Sequence, residues 1–457
     1  MNIFEHLISP PSSEFTSVLY FIQIITYLLF IPYTCLLTGG LILSSVYYNK
    51  ANKKQNSEIL KLSRDIINKT IINKTTGFGL GIIPLITTAT IFLQFFYTSN
   101  TVPASLLIIS ILLYVTAYIL SYSYKSLINI KEIINSLEYT KTHESNIKSE
   151  DSYKLRENIE IFKYDISKKI SLYGKLAIFF LLLSVFFLFG FVTIYSNPIL
   201  LQKSDTIFAI FADISVWLKL IYFVILAFSL TSVTLIFQFF TKHFQKNSAI
   251  NILQFTNGKL KTFLTTAIIS TISLPIIVVF NFLILPDSSL IPSVFIFTGI
   301  SFISTLVTVI LLYAIIRTPK LKYSVSALIF IYLIIFSGIM KDELAFKSSI
   351  KEQIAVVNLK AEEIYKEKFP KTTSVTEVNG EEIYKSRCAA CHKFDVKLVG
   401  PPYKETLPKY NNDIKKLSQY IYNPVKVNPE YPPMPNQGLK MNEAEAVAKY
   451  IIETYTK

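Results

Sequence analysis

Eight separate segments of the chain are apolar over enough residues to cross a lipid bilayer as helices. A bilayer core about 30 Å thick requires about 20 apolar residues in each helix. The segments lie at roughly residues 18–46, 78–98, 104–124, 175–196, 214–240, 262–285, 291–316 and 324–340. With 51% hydrophobic residues over 457 positions, they argue against an ordinary soluble protein and predict an all-α, polytopic transmembrane bundle.

The connections between these segments alternate in charge, which predicts the orientation of the bundle. One side carries 24 Lys and Arg against 10 Asp and Glu, in residues 49–77, 125–174, 241–261 and 317–323 and at Lys175. The connections on the other side, including the N-terminal tail, contain a single basic residue, Lys203. Because basic loops stay in the cytoplasm, we expect both termini outside. The excess on the basic side equals the formal net charge of +14, so the charge indicates topology and no nucleic-acid partner.

The composition changes after the eighth segment. Residues 341–378 are charged and have a helical pattern that breaks at Pro370, which predicts a stalk followed by a linker. Residues 379–457 have the size of a small soluble domain. A domain of that size has little core of its own, and a buried prosthetic group would supply apolar surface. The predicted organisation is therefore a bundle over 1–340, a charged stalk and linker over 341–378, and a C-terminal domain.

The C-terminal domain contains the sequence CAACH, formed by Cys388, two alanines, Cys391 and His392. Two thiols at this spacing can add to the two vinyl groups of haem, and the adjacent imidazole then reaches the iron as an axial ligand. The alternative is a zinc or redox site built on the two cysteines. The residues that follow the motif favour haem.

Two downstream loops carry those residues. In VGPPY, the carbonyl of Pro401 can accept a hydrogen bond from the second ring nitrogen of His392 and so orient the imidazole. In YPPMPNQG, Met434 is the candidate second axial ligand, since a thioether opposite an imidazole raises the reduction potential and suits electron transfer. No histidine follows residue 392. Before the motif, Gly380 would allow a close helix crossing, with Tyr384 near Tyr450.

These features, taken in order, resemble a class I cytochrome c domain: an N-terminal helix, CAACH, a Gly-Pro turn, a methionine loop and an amphipathic C-terminal helix. The resemblance covers residues 379–457. It implies one covalently bound haem c, held through Cys388 and Cys391, with His392 and Met434 as axial ligands of the haem iron. An iron with both axial positions filled transfers single electrons and leaves no open position for a small substrate.

The membrane segments offer few residues for redox chemistry of their own. No histidine lies at membrane depth, so no haem b is expected from this chain alone; the four histidines are His6, His143, His243 and His392. We also expect no ionisable residue within the membrane. Asp213 and Lys219 flank Trp217 at the outer edge of the fifth segment, where an aromatic belt and snorkelling account for them.

Four interior amide side chains remain, and hydrogen bonds between helices are their first interpretation. Contact with a quinone head group is the second. The four residues are Gln23, Gln94, Gln238 and Asn281.

The first two segments are similar, in their order and in their pattern of residues, to the first two helices of the large subunit of cytochrome bd quinol oxidases. The similarity rests on YLLFIPYTCLLTGGLILS and TTGFGLGIIPLITTATIFLQFFYTS. In that family a haem-ligand histidine precedes the first of these motifs, whereas Tyr27 stands at the matching position here. The resemblance implies a relative without haems b and d, to which oxygen reduction does not carry over.

The sequence therefore predicts a membrane-anchored monohaem cytochrome c that carries electrons at the outer face of the inner, or cytoplasmic, membrane. The haem domain would lie in the periplasm, or outside a Gram-positive cell. Because one helix would suffice as an anchor, we expect the bundle to dock with other respiratory-complex subunits, and the redox partners to be periplasmic or membrane proteins. Two alternatives are a quinol-oxidising membrane subunit that passes electrons to its own haem and a haem-based membrane sensor.

Overall fold

The computed structural model describes residues 10–97, 104–144, 150–197, 209–245, 261–318, 321–368 and 379–455. Every regular element within these ranges is helical, which confirms the all-α fold. The chain divides into two compact units, Met1–Glu362 and Glu363–Lys457.

The first unit is a bundle of long helices. Among the described residues, eight of its helices are long and apolar enough to span a bilayer, which confirms a multi-pass membrane protein and the predicted number of spans. The shorter or more polar α2 and α10 fall outside this set, as do the four-residue helix Ala209–Ala212 and the 3₁₀ turn Asp287–Ser289. The helices are α1 Ser13–Lys54, α2 Ser57–Thr70, α3 Lys74–Phe95, α4 Ala104–Glu144, α5 Glu150–Ser196, α6 Ile214–Gln245, α7 Lys261–Leu283, α8 Pro292–Arg317, α9 Leu321–Ser349 and α10 Lys351–Lys368.

Short polar side chains define where helices α2 and α3 begin. Asn56 accepts a hydrogen bond from the backbone N–H of Ile59 at 3.1 Å, and Asn73 accepts one from Thr76 at 2.9 Å. These caps satisfy N–H groups that have no partner inside the helix. Helix starts at residues 57 and 74 are thus encoded locally, in the polar connections between apolar segments.

Helix α1 lies at the centre of the bundle and packs against α2, α3, α5, α6 and α9. Gly39 and Gly40 make two of these contacts possible. A Cβ atom on Gly39 would overlap Thr231 of α6, and one on Gly40 would overlap Thr70 of α2. Small residues let helix backbones approach closely where no hydrophobic driving force exists between them. The glycine pair therefore sets the position of α1 against two neighbours at once.

The bundle unit continues beyond residue 340, where the predicted stalk begins. Residues 341–349 belong to α9, and the side chains of Ile350 and Ile354 are buried in the same apolar core as Tyr20. In α10, Asn358 accepts a hydrogen bond from the Thr16 hydroxyl at 2.9 Å. The compact unit accordingly extends to Glu362. The predicted linker over residues 370–378 lies outside the described ranges.

The second unit is a small helical domain. Its elements are α11 Gly380–Ile383, which continues as a wide π-type turn over Tyr384–Cys388, then α12 Tyr403–Thr406, α13 Ile414–Tyr422 and α14 Met441–Tyr455. Its buried core includes Leu407 and Leu417 together with Val447 and Ile451 of α14.

Helices α11 and α14 cross at Gly380. A Cβ atom at that position would overlap the carbonyl oxygen of Ala446 and lie 2.7 Å from its carbonyl carbon. Four residues further along, the rings of Tyr384 and Tyr450 have centroids 5.5 Å apart. The predicted close crossing at Gly380 and the packing of Tyr384 near Tyr450 are confirmed. This crossing places the end of α11, and with it the CAACH motif, against the domain core.

Candidate haem site

The CAACH motif forms a tight turn at the end of α11. Asn379 caps the helix by accepting hydrogen bonds from the N–H groups of Glu381 and Glu382, at 3.1 and 3.4 Å. At the other end, the N–H groups of Cys391 and His392 both donate to the carbonyl oxygen of Cys388, at 3.1 and 3.0 Å. Backbone hydrogen bonds within the motif therefore close the turn that carries the two cysteines and the histidine.

The imidazole of His392 is oriented by the loop that follows it. Its Nδ1 atom lies 3.0 Å from the carbonyl oxygen of Pro401. Because a carbonyl oxygen only accepts, Nδ1 carries the hydrogen and Nε2 presents its lone pair to a metal. The N–H of Gly400 donates to the carbonyl of Cys391 at 2.9 Å, which ties the loop to the motif.

Gly400 lies directly against the imidazole ring. A Cβ atom on Gly400 would overlap Cε1 of His392 and lie 2.7 Å from each ring nitrogen. Any other residue at this position would push the ring away from its hydrogen bond with Pro401. The glycine is therefore a steric requirement of the site.

We expect Gly400→Ala to destabilise the domain by about 2–4 kcal/mol, because overpacking costs about 1–3 kcal/mol and the lost hydrogen bond adds about 1 kcal/mol. Urea unfolding of the full chain, followed by haem absorbance, measures this loss, and the visible spectrum reports the changed imidazole position. The control is Gly438→Ala. Gly438 has a φ of +66° but nothing within 4 Å of the added methyl, so its spectrum should match the wild type. Identical spectra for both variants would contradict the steric role of Gly400.

Two tyrosines complete the surroundings of His392, and sequence reasoning assigned neither of them this role. The hydroxyl of Tyr384 donates to the carbonyl oxygen of His392 at 3.1 Å. The ring of Tyr403 stacks on the imidazole, with centroids 5.3 Å apart. Burial raises the pKa of Tyr403 well above its usual value, so this ring stays neutral at physiological pH. The sequence feature that could have indicated a role for Tyr403 is its position directly after Gly-Pro-Pro, in the loop that contacts His392.

One cavity of about 200 Å³ brings the predicted site residues together. Cys388, Cys391, His392 and Met434 all line it, and Pro401 is part of the same wall. Burial raises the pKa of the Cys388 thiol to about 11, so the free cysteine is a neutral thiol at physiological pH. The remaining walls are largely apolar and include Leu407, Leu417, Ile421, Val427 and Ile451. Two thiols, an imidazole nitrogen and a thioether around an apolar cavity are a donor set that fits haem c.

Comparison with known proteins agrees with this geometry. The family model described as cytochrome c matches residues 377–454. This part of the chain is a class I cytochrome c domain. It is 32% identical to cytochrome c-551 of Pseudomonas aeruginosa over a 75-position alignment that covers 14% of this chain and 65% of that relative. The match thus spans just under two thirds of the relative's length. The match to the cytochrome c family supports a haem c cofactor and haem-based electron transfer for this domain.

Both matches lie in the cytochrome c domain. The resemblance of the first two spans to the large subunit of cytochrome bd quinol oxidases is not supported by them and stays a prediction. Tyr27, which stands at the position of the haem-ligand histidine in that family, lies in α1.

Two ionisable residues just past the predicted eighth segment are buried in the bundle, whereas the sequence placed them in a charged stalk. The expectation of no ionisable residue at membrane depth stays a prediction. Lys341 and Glu343 lie in α9, inside the apolar helix Lys322–Ser349, and their exposed fractions are 9% and 6%. Lys219 does not simply reach towards water either, since its ammonium donates to Thr193 of the neighbouring α5 at 2.9 Å. The many charged residues after position 340 predicted a segment exposed to solvent. The apolar face of α9 continues past that position, however, and keeps Lys341 and Glu343 in the bundle.

The interior amides divide into several cases. Gln238 donates to the carbonyl oxygen of Lys69 at 3.4 Å, which confirms a hydrogen bond between helices at this position. Asn281 instead donates to Ile277 of its own helix at 3.0 Å. Gln23 is buried, and neither of its amide atoms has a hydrogen-bond partner among the described residues. The amide oxygen of Gln94 is also buried without such a partner. The interpretation as helix–helix hydrogen bonds therefore applies to Gln238.

Proposed function

We propose that this protein is a membrane-anchored monohaem cytochrome c that carries single electrons at the outer face of the membrane as a subunit of a respiratory electron-transfer complex. The observation that carries this proposal is the single cavity lined by Cys388, Cys391, His392 and Met434. The helical bundle provides the anchor, since a multi-pass unit precedes the cytochrome c domain in the same chain.

Each site residue has a separate task in this proposal. Cys388 and Cys391 tether the haem covalently, and His392 and Met434 are the axial ligands of its iron. Pro401 holds the His392 ring in place through its carbonyl oxygen, 3.0 Å from Nδ1. Bound haem supplies the one-electron ferric–ferrous couple. With His392 and Met434 as its two ligands, the iron would have no open position for a small substrate, which favours electron transfer over substrate turnover.

The distribution of charge supports the proposed location. The basic connections mark the cytoplasmic side, and on the other side the N-terminal tail and the connections between spans contain only Lys203 as a basic residue. The cytochrome c domain follows α9 and α10 in the chain, so we place it in the periplasm, or outside a Gram-positive cell, with the bundle in the cytoplasmic membrane. Covalent haem attachment to c-type cytochromes takes place on that side.

A bundle this large exceeds what tethering requires, which supports docking with haem- or quinone-bearing subunits. The test is native electrophoresis of the full chain after extraction in a mild detergent, with staining for haem. We expect the haem-stained band well above 52.1 kDa, the mass of this chain, and further subunits within it. Migration as a lone chain after the mildest extraction would overturn the assignment to a complex.

A further inference from the structure

The bundle contains a second cavity, of about 190 Å³, between α1, α5, α6, α7 and α9. It lies at the end of the bundle where α5 and α9 end, since Asn197 and Ser289 from the adjoining connections line it. Most of its wall is apolar and includes Phe30, Leu188, Phe189, Phe223, Val278 and Ile339. Ile284 also lines the cavity and is 41% exposed, so the apolar lining reaches the surface of the bundle near the end of α7.

Polar and charged groups collect along the same cavity. Lys219 and Lys341 line it, as do Glu343 and the phenol of Tyr27. Among the described residues, Lys219 donates to Thr193 Oγ1 at 2.9 Å, and Lys341 pairs with Asp342 at 2.7 Å. Because an ammonium group has three donors, both lysines retain hydrogen atoms for a ligand.

Glu343 is the buried group along this cavity whose hydrogen-bonding capacity is least satisfied. Its side chain is 6% exposed, and its Oε2 atom is buried without a hydrogen-bond partner among the described residues. A buried carboxylate oxygen without a donor loses its hydration and receives nothing in exchange. A ligand hydroxyl placed in the cavity would provide the missing donor. The cavity thus offers an acceptor for a hydroxyl and cationic donors for a carbonyl oxygen, next to apolar walls.

We propose that this cavity binds the head group of a membrane quinone or quinol. A quinol hydroxyl would donate to Glu343 Oε2, and a ring oxygen on the opposite edge would accept from Lys219. The isoprenoid tail would leave past Ile284, where the apolar lining reaches the surface. The recognised chemistry is a flat ring with two oxygens and one long apolar substituent. This site stands independently of whether the protein belongs to a larger complex.

The chain offers its own reporter for a binding test. Its single tryptophan, Trp217, lies two residues from both Ser215 and Lys219, which line the cavity. The experiment titrates decyl-benzoquinone, and separately its quinol, into the haem-loaded full chain in phosphatidylcholine nanodiscs, and follows tryptophan fluorescence. We expect saturable quenching. Glu343→Gln, which retains the size of the side chain but replaces one carboxyl oxygen with an amide NH₂ group, should weaken quinol binding about tenfold.

Two further variants distinguish loss of binding from loss of fold. Ala345→Phe places a ring into the cavity wall and should abolish saturable quenching. Glu132→Gln changes a carboxylate that pairs with Arg64 and does not line the cavity, and it should bind like the wild type. Haem absorbance and a single size-exclusion peak establish that each variant is folded. Wild-type affinity in both cavity variants, or equal weakening in Glu132→Gln, would overturn the proposal. Phospholipid that stays bound in native mass spectrometry and is not displaced by the quinone would do the same.

Discussion

Replacing both Cys388 and Cys391 with serine is expected to remove all covalently bound haem from the chain. The two thiols line the cavity together with His392 and Met434, and serine hydroxyls cannot form thioether bonds with vinyl groups. Haem staining of the full-length protein on a denaturing gel measures the loss, because only covalently attached haem survives denaturation. The double variant should give no stained band at the position of the chain.

The third cysteine provides the matched control. Cys35 is fully buried in α1, away from the cytochrome c domain in sequence and in a different compact unit. Cys35→Ser should retain wild-type haem staining. A haem-stained band in the double variant, or its loss in Cys35→Ser, would contradict the assignment of the tether.

Substituting Met434 with histidine should lower the reduction potential of the haem by a substantial part of the range of about 0.8 V that axial ligands span. A thioether favours the reduced iron relative to a second imidazole, so replacement shifts the equilibrium towards the oxidised form. Each 59 mV corresponds to a tenfold change in the equilibrium constant of a one-electron transfer. Potentiometric titration of the full chain, followed by haem absorbance, measures the shift.

Met441→His is the control for this change. Met441 starts α14 in the same domain, is 38% exposed and does not line the haem cavity. Its replacement adds the same imidazole and should leave the potential within a few millivolts of the wild type. Equal potentials for the wild type and Met434→His would show that Met434 is not an axial ligand.

Much of the haem site could be predicted because its parts are local in sequence. Cys388, Cys391 and His392 occupy one turn, and Gly400 and Pro401 follow within the next loop, so short backbone hydrogen bonds place them. Met434 is more distant, but a methionine between prolines is a distinctive signal. The eight spans were also predictable, since length and apolarity decide membrane insertion. The stacking of Tyr403 on His392 depends on tertiary packing, and sequence alone did not suggest it.

The bundle cavity was missed because its polar residues come from distant parts of the chain. Glu343 appeared to belong to a solvated stalk, since charged residues surround it in sequence. The sequence nevertheless contains an apolar helical face that continues past Glu343. Its members recur at intervals of three or four residues and are all buried: Phe346, Ile350, Ile354 and Val357. The periodicity of apolar residues was a better guide to burial here than the local density of charge.

The position of the His392 ring between Gly400 and the Pro401 carbonyl also affects the expected rate of electron transfer. The imidazole occupies the space where a side chain at position 400 would lie, and it cannot turn away from Pro401 without losing a hydrogen bond. As the proposed iron ligand, a ring held in this way would keep nearly the same coordinates before and after an electron arrives, because a preorganised environment requires little rearrangement at that moment. A small nuclear displacement lowers the activation barrier, so the packing of one glycine against one ring favours rapid oxidation and reduction in both directions.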